Sequence, residues 1–167
     1  MARRKAPEIK FQDHIASFLI REHKYPLLEQ EEITDPENAI AEDHLWAFLN
    51  ATQMESLEKL TGEYGTDARD EVFKTLRSEL RNTPLWMLLR HGLHVRGIEF
   101  RLFYPKPRSS ESVANALFKE NRITFRPHFF FGESNSEIDF VLFLNGLPIV
   151  AMEVKHEKNQ SVHDAVA

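Results

Sequence analysis

The feature that most constrains this chain is the run from Ile138 to Lys155, where two apolar segments flank Asn145-Gly146. Ile138-Asp139-Phe140-Val141-Leu142-Phe143-Leu144 reads as a buried strand. Leu147-Pro148-Ile149-Val150-Ala151-Met152-Glu153-Val154-Lys155 reads as its return strand, because Asn-Gly between apolar runs is a strong hairpin signal. Three charges sit inside these strands: Asp139, Glu153 and Lys155. Charged side chains rarely enter buried strands unless they are paired or hold a metal. Glu153 and Lys155 are two apart, so both project from one face, and Val154 points to the other.

The turn decides where Asp139 falls. A strict two-residue Asn145-Gly146 loop sets Leu144 opposite Leu147 and Asp139 opposite Met152, which puts Asp139 and Glu153 on different faces. A three-residue loop, or one bulge, sets Asp139 opposite Glu153 and brings all three charges to one face. Pro148, just after the turn, favours an irregular start to the return strand.

On the second register the trio has a chemistry. Two carboxylates with waters and a phosphate oxygen are the usual surroundings of magnesium. Such an ion polarises a phosphate and acidifies a bound water. Asp139 and Glu153 are the candidate ligands, the Val154 carbonyl a further oxygen donor, and Lys155 the group that positions the nucleophile. Glu-x-Lys alone is common. The competing reading is a hairpin whose terminal charges make ordinary salt bridges, and the residue pattern leaves both open.

The first half reads as helical. Phe11, Ile15, Phe18 and Leu19 give a helical face over 11–24, ended by Tyr25-Pro26. The acidic stretch 29–38 reads as a loop. A helix is expected over 37–60, capped by Asp35 or Asn38, and another over 67–81. Pro84 opens a short helix over 85–90 that ends at Gly92. From His94 to Phe103 the pattern changes to period two, which predicts a strand or two. A helical turn follows over 113–120, then an aromatic strand region over 122–131 interrupted by Pro127. Residues 160–167 read as the start of a helix. The expected division is a mainly helical part over 1–90 and a β-rich core over 91–167. The fold class is α/β: a mixed central sheet flanked by helices.

Composition narrows the classes. There is no cysteine among 167 residues, which excludes disulfides and thiolate sites. No apolar run is long enough for a membrane helix and no signal core opens the chain, so a soluble cytoplasmic protein is expected. A net charge of −5 argues against a protein that simply coats DNA. His91 and His94 lack a third ligand and read as ordinary strand-start histidines. His156 reads as a solvated edge residue, and Trp46 and Trp86 as core. Arg122 and Arg126 suit either DNA backbone or salt bridges.

The segment 138–155 closely resembles the nuclease signature of type I restriction enzyme R subunits, of the PD-(D/E)xK superfamily: an aspartate-led strand, Asn-Gly-Leu-Pro, then a strand ending Glu-x-Lys. Leu89-Arg90-His91-Gly92, Asn121 to Phe131, and Phe11-Gln12-Asp13-His14-Ile15 resemble other parts of the family's N-terminal region. The resemblance covers most of the chain and is strongest over 121–155. It implies a restriction-endonuclease-like fold and a magnesium-dependent endonuclease, with manganese as substitute. Asp139 and Glu153 are then metal ligands and Lys155 the catalytic lysine. It implies double-stranded DNA as substrate and specificity and methylation subunits as partners. ATP would act only through regions outside this chain, which has no phosphate loop. The family's proline before the aspartate is Ile138 here. Its first-helix acid matches Asp13, preferred to Gln12 because an amide supplies no charge. Its Gln-x-x-x-Tyr helix is not reached, Gln160 coming too early, so the chain is expected to be a piece of a longer protein. Two other readings stand beside this one: a docking module with a silent site, and a stand-alone repair nuclease.

Overall fold

A computed structural model describes residues 6–108, 112–131 and 136–154. Lys155, His156, Gln160 and the helix expected over 160–167 lie outside the described residues. Helix α1 spans Ala6–His23 and stops at Lys24, whose φ of 57° takes the chain out of the helix just before Tyr25-Pro26.

The single helix expected over 37–60 is two: α2, Glu42–Thr52, and α3, Met54–Tyr64. The break is Gln53, at φ −142° and ψ 41°. Its side-chain amide accepts from the Arg101 N–H at 2.7 Å and donates to the Arg101 carbonyl at 2.8 Å. Residues 37–41 are not helical either. Asp35 and Ile40 exchange backbone hydrogen bonds at 3.1 and 2.9 Å, and the Asp35 carboxylate accepts from the Asn38 N–H at 3.1 Å. The two expected caps therefore close a tight loop on each other rather than opening a helix.

Helices α4 (Ala68–Leu80) and α5 (Leu85–His91) fall close to where periodicity places them. Strands β1 (Leu93–Val95) and β2 (Ile98–Phe100) form a small antiparallel hairpin. Arg96 and Gly97 turn it, both at positive φ. After α6 (Ser112–Lys119) come β3 (Ile123–Phe130), β4 (Glu137–Leu144) and β5 (Leu147–Met152), an antiparallel sheet in the order β3-β4-β5. On the free side of β3, Leu27 bridges Phe125 in parallel, with Leu28 N–H donating to the Phe125 carbonyl at 2.8 Å. That contact is an isolated bridge and adds no strand, so among the described residues both sheets are antiparallel rather than the one mixed sheet expected. The α/β class and the helix-rich first half are as the sequence indicates. Among the described residues, no helix is long and apolar enough to cross a membrane.

Two apolar clusters hold these elements. The larger gathers Leu45, Leu49, Leu60, Phe73 and Leu76 from the helices with Val95 and Phe100 from the small hairpin, and takes in Leu147 at the β4–β5 turn. The smaller sets Phe129, Val141 and Phe143 of the sheet against Leu28, Ile33 and Ala41. Leu147 and Ala41 thus tie the sheet's turn end to the helical body.

Candidate metal centre on the β4–β5 hairpin

Asn145 and Gly146 have φ of 52° and 81°, the two left-handed positions of a two-residue hairpin turn. The turn is anchored on every side. Asn145 is buried (1% exposed). Its Oδ1 accepts from the Arg122 N–H at 2.8 Å, and its Nδ2 donates to the Leu102 carbonyl at 2.9 Å and to Asn121 Oδ1 at 3.2 Å. The Gly146 carbonyl accepts from the Ala41 N–H at 2.9 Å, at the start of α2. A Cβ on Gly146 would overlap the Ala41 carbonyl.

From this turn the pairing begins as Leu144 opposite Leu147 and Phe143 opposite Pro148. It then shifts. Leu142 faces Val150, Val141 faces Ala151 and Phe140 faces Met152, so Ile149 is an extra residue. The two-residue turn alone would set Asp139 opposite Met152. The bulge restores the other register, which carried one step past Met152 sets Glu153 opposite Asp139. A contact at this end agrees: Asp139 Oδ2 accepts from the Val154 N–H at 2.7 Å.

Asp139 is 6% exposed and is followed along β4 by the buried Phe140 and Val141. A carboxylate so placed needs hydrogen bonds or a cation to offset the loss of water. Glu153 is exposed, one residue past the last paired position of β5. At Val154 the group placed against Asp139 is the amide N–H. Lys155 lies beyond the described residues. Among those described, no set of three or more histidine and carboxylate side chains is arranged to hold a metal ion.

Two side chains that the sequence reading passed over lie beside Asp139. In β3, Pro127 faces Phe140 and Phe129 faces Ile138, so the register puts His128 across from Asp139. His128 has φ 53°, a left-handed residue inside a strand, which costs a non-glycine residue roughly 1–2 kcal/mol. Its Nδ1 lies 2.7 Å from Glu137 Oε1, two residues before Asp139. Pro127 was the only local signal, since proline inside a strand marks an irregular or edge position.

Other candidates are placed as follows. Helix α1 turns Gln12 inward (3% exposed) and leaves Asp13 at the surface. Arg126 reaches Glu29 Oε2 at 3.1 Å and the Leu28 carbonyl at 3.4 Å, the salt-bridge alternative. The acidic stretch is less simply solvated than its composition suggests. His44 Nε2 lies 3.0 Å from Glu32 Oε1, and that contact, with the Glu29 N–H, holds the Glu32 carboxyl below its ordinary range. His91 and His94 are exposed. Trp46 packs against Phe73 in the core, but Trp86 is 60% exposed and does not belong to it.

A family model described as the type I restriction enzyme R protein N terminus matches residues 8–167. No curated protein and no solved structure matches the chain.

Proposed function

The chain belongs to the type I restriction enzyme R protein N-terminal family, and from that premise we propose that it is a magnesium-dependent endonuclease domain hydrolysing DNA phosphodiester bonds. The observation that supports this reading is the bulge at Ile149, whose register, continued one residue past Phe140 and Met152, would set Glu153 opposite the buried Asp139.

The donors suit a hard divalent cation. Magnesium is commonly held by one or two carboxylates, with waters and substrate phosphate completing its shell. Asp139 and Glu153 would hold it, manganese would substitute, and the Val154 carbonyl would be a further oxygen donor. When bound, the ion supplies charge stabilisation at the phosphate and a more acidic water. The chain's own residues do the rest. The Val154 N–H fixes one oxygen of Asp139, so that the carboxylate is oriented before substrate arrives. Lys155 would place its ammonium beside the attacking water and the phosphate oxygens that gain charge. Asp13 of α1 is the remaining first-helix candidate, although Gln12 is the residue that helix turns inward. Double-stranded DNA would be the substrate, in the cytoplasm. Sequence choice would come from specificity and methylation subunits, and ATP-driven translocation from regions outside this chain.

The test uses the assembled complex with its full R subunit. Asp139→Asn, Glu153→Gln and Lys155→Ala should each lower DNA cleavage at least about a hundredfold and leave ATP hydrolysis at the wild-type rate. Unchanged cleavage in all three would exclude this site and leave the region a docking module.

A further inference from the structure

A concave strip lies at the turn end of the sheet, away from Asp139. One part is a cavity of about 640 Å³ between α5 and the extended segment after β2, and it continues toward α6. Phe103, Tyr104, Pro105 and Leu144 belong to both parts, so the two form one groove. Trp86 stands at its α5 side, 60% exposed, and Phe118 lines its α6 side.

The charges around this groove depart from those of the chain. The protein carries a net −5, yet among the described residues no aspartate or glutamate lines either part. Arg90, Arg101, Lys106 and Lys119 do, and all four are exposed. Arg101 is paired with Glu99 at 2.8 Å. Arg90, Lys106 and Lys119 have no carboxylate partner among the described residues. The floor is preorganised: Asn121 Oδ1 accepts from the Tyr104 N–H at 3.1 Å, and Asn121 Nδ2 donates to the Tyr104 carbonyl at 2.7 Å. The same Asn121 bonds Asn145, so the groove and the hairpin turn form one rigid unit.

We propose that this groove binds single-stranded DNA, its bases against Trp86 and Phe103 and its phosphates against Arg90, Lys106 and Lys119. The inference rests on the DNA-hydrolase reading only for the nature of the polymer. Aromatic faces interleaved with unpaired cations are what a single strand uses. A duplex keeps its base faces stacked inward and offers little to an apolar floor. Leu144 in the groove is five residues from Asp139 on β4, about 17 Å at roughly 3.3 Å per residue. A strand held there therefore lies within a few nucleotides of the candidate metal centre.

The experiment is fluorescence anisotropy of a labelled oligothymidylate of about 12 nucleotides, with the intact chain at low salt in EDTA. EDTA separates binding from cleavage, so this result stands whether or not the metal centre is correct. Trp86→Ala should weaken binding roughly 5- to 150-fold, with Trp86→Phe recovering part of the loss. Replacing Lys106 and Lys119 by Gln should flatten the salt slope of log K by about 0.7 for each. Trp86 is exposed, so its variants should melt as wild type does. Three outcomes overturn the proposal: no binding, binding indifferent to Trp86→Ala, or a duplex of equal length bound as tightly. Retention of a partner subunit by wild type but not by Trp86→Ala, without oligonucleotide binding, would assign the groove to a protein and overturn it too.

Discussion

Replacing Asn145 with alanine should cost about 3–4 kcal/mol of folding stability, and the structure shows where this comes from. The Asn145 side chain is the partner of the Arg122 N–H at 2.8 Å and of the Leu102 carbonyl at 2.9 Å, in a site where the residue is 1% exposed. Each bond contributes about 1 kcal/mol, and leaving a buried partner unmet costs at least as much. Alanine at φ 52° adds about 1 kcal/mol, because asparagine tolerates the left-handed region and alanine does not. Asn145→Gly divides the two effects. It removes the bonds but not the tolerance for positive φ, so it should cost about 2–3 kcal/mol. Urea unfolding followed by circular dichroism measures both. With slopes of about 1–3 kcal/mol/M, the alanine midpoint should fall by roughly 1–4 M at an unchanged slope. A loss below about 0.5 kcal/mol in both variants would refute the argument, since it would mean that the side chain is not the hub of the turn. Equal losses would remove only the backbone part of the argument.

Gly146→Ala should be worse still, above about 3 kcal/mol, because its Cβ would overlap the Ala41 carbonyl at a φ of 81°; a melting temperature within a degree or so of wild type would contradict this. His128→Gly should relieve the left-handed strain but lose the contact with Glu137, whereas His128→Ala should lose the contact and keep the strain. The alanine variant should therefore be the less stable of the two by about 1 kcal/mol, and the reverse order in urea unfolding would refute the strain assignment. Burial raises the Tyr104 phenol above its ordinary value, so the ultraviolet difference titration of wild type against Tyr104→Phe should show this proton lost only above about pH 10. The stability from the neutral phenol is complete below the unfolded value and falls as pH rises toward the folded one. Ionisation at or below the ordinary value would contradict its burial.

What was legible in the sequence was whatever local chemistry determines. Asn145-Gly146 announced its turn because few residues accept two successive left-handed positions. Pro84 and Gly92 bounded α5 for equally local reasons. The bulge was foreseen as one of two registers, and Pro148 pointed to an irregular start of the return strand, but no local signal picks out Ile149 itself as the extra residue. The break at Gln53 was invisible because it is made by the backbone of Arg101, far along the chain. His128 was missed because its position beside Asp139 exists only once β3 pairs with β4. Trp86 was read as core because a tryptophan in an apolar run usually is. Here α5 turns it outward, into the groove.

The most direct test of the central claim is a crystal soaked in manganese, with anomalous diffraction collected on wild type and on Asp139→Ala. The account predicts an anomalous peak coordinated by Asp139 and Glu153 in the wild type and none in the variant. A wild type without a peak, with the two carboxylates on opposite faces of the hairpin, would contradict both the register and the metal centre.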